Sequence, residues 1–159
     1  MKKVLFVFGT RPEAIKLAPI IKEFQARGSF ETKVCVTGQH REMLDQVLRR
    51  FKVESDFDFD LMKHNQSLTS LLGAIVKLVG GVIVQEAPSL VVVHGDTSTA
   101  MAAAIAAFYE KVEVVHVEAG LRTDSVASPF PEEFNRRVIS IASSINFCPT
   151  ERNKQSLIA

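Results

Sequence analysis

Two carboxylates in this chain follow buried, strand-like runs and lie in short polar turns, where carboxylates commonly transfer protons. Asp96 lies in the turn HGDTST after the apolar run 90–93, and Glu118 lies in the turn HVEAGLR after the run 114–117. An alanine-rich segment of helical length separates the runs, which predicts two parallel strands joined by a helix. Ligands bind at the carboxyl edge of such a sheet. Asp96 and Glu118 are therefore expected at one edge, one strand apart.

A third carboxylate and a cation follow in the segment PEEFNRR, which opens a helix after the rigid stretch SPFP. Glu132 is expected to face the same crevice as the first two carboxylates, with Arg136 one turn below it. An ordinary surface ion pair between Glu132 and Arg136, four residues apart on a helix, explains the same spacing without any function.

The segment GTRPEAIK follows the first strand, where a dinucleotide-binding loop would lie, but its single glycine does not make the pattern GxGxxG. It places two cations, Arg11 and Lys16, near the amino terminus of a helix, which favours binding of an anionic phosphate group. The alternative is a solvated first turn in which Arg11 pairs with Glu13.

Two histidines stand beside the carboxylates, His94 before Asp96 and His116 before Glu118. The set lacks the close spacing of a metal site, and a hydrogen-bonded structural role is the preferred interpretation of the imidazoles, so no metal is expected. Asp96 has its own structural alternative as a helix cap. The segment QHREML after the second strand is typical either of a plain helix start or of a binding site.

Carboxylates crowded at one edge raise one another's pKa, so that one can act as an acid while another acts as a base. Lysine and arginine beside them, with no cysteine nucleophile, metal spacing or redox-cofactor loop, indicate proton transfer on a phosphorylated substrate, with no cofactor.

The elements that must position these residues alternate along the chain. Strands are predicted at 3–8, 32–37, 57–61, 90–93, 114–117 and 146–148, and helices at 12–27, 41–51, 67–86, between the two central strands, at 132–144 and from 149 onward. This order predicts an α/β fold with an open, doubly wound parallel sheet, Rossmann-like, in one domain over residues 1–159.

The composition of the chain argues against several classes of function. The 19 basic and 18 acidic residues give a net charge of +1, which argues against nucleic-acid or membrane-surface binding. No segment is expected to reach the roughly 20 apolar residues of a membrane span, and the first apolar run is too short for a signal peptide. Cys35 and Cys148 are interpreted as buried reduced thiols, which suits the cytoplasm.

Five motifs, namely GTRPEAIK, QHREML, HGDT, HVEAGLR and SPFPEE with Asn135-Arg136, closely resemble in order and spacing the bacterial non-hydrolysing UDP-N-acetylglucosamine 2-epimerases. The resemblance runs from Val4 to the last residue. It implies the first half of a glycosyltransferase-B-like two-domain fold whose C-terminal, UDP-binding domain this chain lacks. It also implies interconversion of UDP-GlcNAc and UDP-ManNAc through loss of UDP to 2-acetamidoglucal and its re-addition, with no activity from this chain alone.

The resemblance further implies roles for single residues. The active-site carboxylates correspond to Asp96, Glu118 and Glu132, and the active-site lysine corresponds to Lys16. The substrate-binding residues correspond to Arg11, Arg136, His94 and His116. Gln39 and His40 correspond to positions that contact an activating second UDP-GlcNAc. The segment 124–127 departs from the family pattern, since it lacks the usual pair of Gly followed by Asp or Asn, and the aromatic residue after it. The family is commonly dimeric through its first domain, so the apolar helix around 68–83 is the expected contact between copies. The alternative is that this helix packs on its own sheet.

Three alternatives stay open on the sequence. One is the hydrolysing relative, which releases ManNAc and UDP. Another is an inactive module that binds nucleotide sugars or dimerises. The third is a glycosyltransferase, which the HGD and PEE signatures fit less well.

Overall fold

A computed structural model describes residues 1–38, 41–61 and 66–158, with Arg41 described by its backbone alone. The strands are β1 (Lys3–Phe8), β2 (Glu31–Val36), β3 (Phe57–Asp58), β4 (Leu90–His94), β5 (Glu113–Val117) and β6 (Ser143–Phe147). The helices are α1 (Arg11–Arg27), α2 (Arg41–Phe51), α3 (Leu68–Glu86), α4 (Ser98–Tyr109), α5 (Glu132–Ala142) and α6 (Glu151–Ile158).

The strands form one parallel sheet in the order β3-β2-β1-β4-β5-β6. The chain moves outward in one direction from β1 to β3 and in the other from β4 to β6, so β1 and β4 are neighbours at the point where the order reverses. The predicted α/β fold with a doubly wound sheet is therefore confirmed. Ligands of such sheets bind in the crevice beyond the carboxyl ends of the strands at this reversal.

The two sheet faces have separate cores. On one face α1 and α2 pack against the sheet through residues such as Leu17, Ile21 and Leu44, which belong to the same buried cluster as Phe6 and Phe8. On the other face α4 packs between α3 and α5. Its alanines at 102–104 and 106–107 are buried, and their small side chains let the helix lie close to both neighbours and to the sheet.

Helix α5 is shorter than predicted and β6 begins earlier. The Ser143 hydroxyl donates to the carbonyl of Ile139 (2.7 Å) at the end of the helix, while the Ser143 backbone is already extended. The chain thus enters β6 with no loop, because a side chain satisfies one of the terminal helix carbonyls. β3 is likewise shorter than the predicted 57–61 and lies at the sheet edge, as expected.

Helix α3 is continuous through Gly80 and Gly81. Among the described residues it is the one helix long and apolar enough to cross a membrane, with 19 residues and a mean hydropathy of 1.8, so the expectation that no segment reaches such a length is wrong. Core helices of soluble proteins pass the same test of length and composition. Leu71, Ile75 and Val79 of α3 lie in the core against α4.

The two cysteines differ in their surroundings. Cys35 is buried in β2, and burial, with the negative charge of Asp58, raises the pKa of its thiol to about 12, so the thiol is protonated and unreactive. Cys148 is only half-buried, which corrects the expectation for this residue, because it follows the edge strand β6. Both are free.

We expect Gly120→Ala to destabilise the protein strongly. Gly120 has φ +89°, and a Cβ there would lie 2.1 Å from the carbonyl oxygen of Asn153 in α6. The substitution combines the left-handed backbone penalty with overpacking of about 1–3 kcal/mol. Gly28→Ala is the matched control, since φ is +64° with nothing within 4 Å, and it should cost only about 1–2 kcal/mol. Urea denaturation measures both, and equal losses would contradict the close approach of α6.

Candidate active site

The loop between β1 and α1 is organised around Glu13, which is buried in the first turn of α1. One carboxylate oxygen accepts hydrogen bonds from the backbone N–H groups of Gly9 (3.0 Å) and Thr10 (2.8 Å) and from the Thr10 hydroxyl (2.7 Å). The other accepts from the Thr97 hydroxyl (2.7 Å). Burial raises the pKa of Glu13, against the opposing effect of these donors. The alternative pairing of Arg11 with Glu13 does not occur; Arg11 is exposed at the first position of α1.

The turn after β4 presents Asp96 towards α5. Thr97 caps α4 by accepting a hydrogen bond from the Ala100 N–H (3.0 Å), so Asp96 is not the helix cap. Its carboxylate instead accepts from Arg136 Nη2 (2.5 Å), and its backbone carbonyl accepts from Asn135 Nδ2 (2.9 Å). Two consecutive residues of α5 thus hold Asp96 by its side chain and by its main chain.

Arg136 lies between two carboxylates, and neither is Glu132. Its Nη1 donates to Glu133 (3.1 Å), which is fully buried and also accepts from Arg137 Nε (2.7 Å) and from the Thr123 N–H (3.2 Å). Burial tends to raise the pKa of Glu133, but the Arg137 hydrogen bond and the other donors outweigh it and lower the pKa. Glu133 is therefore ionised, and it anchors the guanidinium that holds Asp96.

Glu132 is the first residue of α5 and is half-buried. It makes no ion pair or side-chain hydrogen bond with any other residue that the structure describes, so the surface pair with Arg136 proposed as its structural alternative does not form. Of the three predicted carboxylates, Glu132 is the one that the described residues leave without a partner.

Glu118 follows β5 with φ +63°, a left-handed conformation that a side-chain-bearing residue adopts at a cost of about 1–3 kcal/mol. Its carboxylate accepts from Lys16 Nζ and lies 3.2 Å from His94 Nε2. Burial alone would raise the pKa of Glu118, but the hydrogen bond from Lys16 and the nearby positive charge lower it. Glu118 is therefore a carboxylate at neutral pH, held in a strained turn by a lysine.

The two histidines support the turns. Burial lowers the pKa of His94 despite the adjacent Glu118, so its neutral ring donates a hydrogen bond to that carboxylate. His116 is fully buried; its Nε2 donates to the Gly95 carbonyl (2.7 Å), and burial lowers its pKa as well. The burial of His116 argues against direct contact with a substrate, and its assignment to substrate binding stays a prediction.

Two clusters result, one strand apart. Lys16, His94 and Glu118 form the first, and Asp96, Asn135, Arg136 and Glu133 form the second. The Gly95 N–H joins them through a hydrogen bond to the Val117 carbonyl (2.9 Å). Asp96 and Glu118 thus occupy the ends of neighbouring strands, as their positions after β4 and β5 predict. Gln39 and His40 lie outside the described residues.

The charge state of the site differs from the expectation drawn from crowding. Cations accompany the carboxylates, so the pKa values of Glu118 and Glu133 are lowered rather than raised. Within the described ranges, no group of three His, Cys, Asp or Glu side chains is arranged to hold a metal ion. The arrangement offers ionised carboxylates with adjacent cations, which suits proton transfer beside an anionic group.

Two of the most engaged residues were missed from the sequence. Glu13 carries a recognisable signal, because Thr10 and Glu13 form the pattern T-x-x-E of a capping box. Glu133 carries a weaker one: it lies three and four residues before arginines on a helix. Its complete burial follows from tertiary contacts alone.

The loop that departs from the family pattern folds back on itself. The Thr123 hydroxyl donates to the carbonyls of Ser125 (3.1 Å) and Ser128 (2.6 Å), and Ser125 and Ser128 form an isolated antiparallel bridge. Thr123 is also the residue whose N–H contacts Glu133. The altered segment 124–127 therefore lies within a turn tied to the second cluster at its base.

Comparisons with known proteins identify the family of this chain. The family model for UDP-N-acetylglucosamine 2-epimerase matches residues 22–159. A probable UDP-N-acetylglucosamine 2-epimerase of Ralstonia nicotianae is 54% identical over 158 residues, which is 99% of this chain and 42% of that protein.

Solved protein structures are also similar to this chain. The crystal structure of the Neisseria meningitidis UDP-GlcNAc 2-epimerase bound to UDP-GlcNAc matches with a TM-score of 0.95 and 52% identity, covering 98% of this chain and 42% of that chain. Acinetobacter baumannii MurG shares the fold alone, with a TM-score of 0.63 at 11% identity over 40% of its chain.

The chain spans 42% of the length of its Ralstonia relative, and it corresponds to one half of a glycosyltransferase-B-like fold. Its motifs, its sheet and the family model all agree, and this chain belongs to the UDP-N-acetylglucosamine 2-epimerase family.

Proposed function

We propose that the full-length protein is a non-hydrolysing UDP-N-acetylglucosamine 2-epimerase that interconverts UDP-GlcNAc and UDP-ManNAc. The observation that carries this proposal is the pair of clusters near the point where the strand order reverses between β1 and β4. In these clusters Lys16 holds Glu118 and Arg136 holds Asp96, at the ends of the neighbouring strands β5 and β4. This chain alone is expected to be inactive, because it spans only 42% of the length of the UDP-N-acetylglucosamine 2-epimerase of Neisseria meningitidis.

The reaction needs a proton removed from C2 and later returned to the opposite face. C2–H is not next to a carbonyl, so its loss has to accompany departure of UDP. The C2–H bond breaks, its electron pair forms the C1=C2 bond of 2-acetamidoglucal, and the C1–O bond breaks with its electrons leaving on UDP. Re-addition reverses these steps. Positive charge that develops at C1 is stabilised by nearby carboxylates.

The surroundings of each side chain indicate its role in this reaction. Asp96 and Glu118, each held by a cation, supply fixed negative charge and proton transfer at the crevice. Glu132 begins α5 with no partner among the described side chains and is the third carboxylate of the set. Arg11, exposed at the start of α1, is positioned for the diphosphate, where the helix amino terminus adds its partial positive charge.

The relative from Neisseria was crystallised with UDP-GlcNAc, which supports the same substrate here. We further propose a homodimer in which a second copy covers the outer face of α3, where Leu68 and Val84 are 50% and 65% exposed. A cytoplasmic location, expected from the cysteines, stays a prediction.

Full-length Asp96→Asn is expected to lower kcat by about 100- to 10,000-fold, the usual contribution of one proton-transfer group. The fold should persist, because Thr97 rather than Asp96 caps α4. Glu110→Gln is the matched control, since it makes the same carboxylate-to-amide change at the exposed far end of α4. An Asp96→Asn enzyme as active as Glu110→Gln would remove Asp96 from the chemistry.

Isotope exchange separates epimerisation from hydrolysis. In deuterium oxide, the full-length enzyme should place deuterium at C2 of the sugar nucleotide while UDP stays attached, because the proton removed exchanges with solvent before its return. Mass spectrometry and NMR of the product pool measure this. Free UDP and ManNAc that accumulate with every turnover would identify the hydrolysing activity and overturn the proposal.

Lys16→Gln should move the acid limb of the kcat/KM profile to higher pH. Lys16 lowers the pKa of Glu118, so its removal lets that pKa rise, and the carboxylate form is lost at a higher pH than in the wild type. Lys22→Gln, on the exposed side of the same helix α1 and outside both clusters, is the control and should leave the profile in place. An acid limb at the same pH in both variants would mean that Glu118 does not govern it.

A further inference from the structure

One buried carboxylate has no part in the reaction as described above. Glu13 is 1% exposed, and its two oxygens accept four hydrogen bonds from Gly9, Thr10 and Thr97. These donors belong to two separate loops, the loop after β1 and the turn after β4. The Glu13 side chain thus directly links the loops that follow β1 and β4, the two strands between which the strand order reverses. The helices that follow these strands, α1 and α4, lie on opposite faces of the sheet.

Each loop that Glu13 joins carries a residue of the site. Lys16 stands three residues after Glu13 on α1 and contacts Glu118. Thr97 directly follows Asp96 and caps α4, so its position sets where the Asp96 backbone leaves the strand. A shift of the Glu13–Thr97 contact would therefore move Lys16 relative to Asp96.

We infer that Glu13 is a positioning residue for the epimerase reaction, which holds the loop of Lys16 and the turn of Asp96 at their working separation. This inference rests on the proposed function. Glu13 does not reach the crevice, and it acts through Lys16 and Asp96.

Fold stability alone is a weak explanation for this side chain. Burying a carboxylate is unfavourable unless its charge is fully compensated, and an apolar side chain of similar volume is often as stable or more stable. An apolar side chain would not hold donors from two loops at one point. It would also remove the acceptor of the Gly9 and Thr10 N–H groups, a loss of stability that has to be separated from the loss of positioning by a control that lowers stability alone.

The first test uses Glu13→Ala and Glu13→Gln in the full-length enzyme. Glutamine can direct its carbonyl oxygen to the Gly9 and Thr10 donors and its amide group to the Thr97 hydroxyl, so it keeps the link. We expect Glu13→Ala to lower kcat by about 100-fold, the order of loss caused by a small misplacement of reacting groups, with a smaller effect on KM. Glu13→Gln should restore most of the loss.

A second pair of variants keeps the test decisive if Glu13→Ala does not fold. Thr97→Val retains the shape of threonine but removes the hydroxyl that contacts Glu13, and Thr97→Ser restores it. Thr97→Val also removes the cap of α4. Ser67→Ala is the matched control, because Ser67 caps α3 by accepting from the Ser70 N–H (3.2 Å), outside both site clusters. Ser67→Ala should lower the melting temperature without lowering kcat.

A readout that needs no turnover separates this inference from the proposed function. The pKa of the Glu118 carboxyl, measured by carbon-13 NMR, should rise in Glu13→Ala and Thr97→Val as Lys16 moves away, and stay at its wild-type value in Ser67→Ala. If the wild type proves unable to epimerise UDP-GlcNAc, the proposed function fails, while the Glu118 shift still reports on positioning. If Thr97→Val changes kcat and the Glu118 pKa no more than Ser67→Ala does, the inference is wrong.

Discussion

The parallel pairing of β1 with β4 is the constraint on which the site depends. The strands are in register from Val4 opposite Leu90 to Phe6 opposite Val92, yet α1 packs on one sheet face and α4 on the other. Their following loops therefore diverge and open a crevice. Glu13 and Thr97 connect the two loops at the base of that opening. The neighbouring β5 brings Glu118 to the same edge.

Around this crevice the fold places carboxylates beside cations instead of beside one another. Ionised side chains lose solvation when they are buried, and the loss is offset only where hydrogen bonds and opposite charges replace water. Arg136 meets this requirement for Asp96 and Glu133 together, and Lys16 meets it for Glu118. The site is consequently charged and already organised, with its side chains fixed by contacts from other elements.

Local patterns predicted most of the architecture. Apolar runs identified the strands, and the alternation of strands with helices identified the sheet, because burial on both faces requires continuous apolar strands. Placement of Asp96 and Glu118 at one edge followed from parallel pairing alone. The boundary between α5 and β6 was misjudged, because the Ser143 side chain ends the helix without a glycine or proline.

The partners of the charged residues depended on the tertiary structure. Helical spacing favoured Arg136 with Glu132, but packing of α5 against the turn after β4 directs Arg136 to Asp96. The same packing buries Glu133.

Residue types and their spacing were enough to predict the strands, the helices and the family of this chain, since these depend on local periodicity and short motifs. Which charges pair, and which carboxylates are buried, was settled only by contacts between residues up to 102 positions apart, as for Lys16 and Glu118, because an ion pair depends on distance in space.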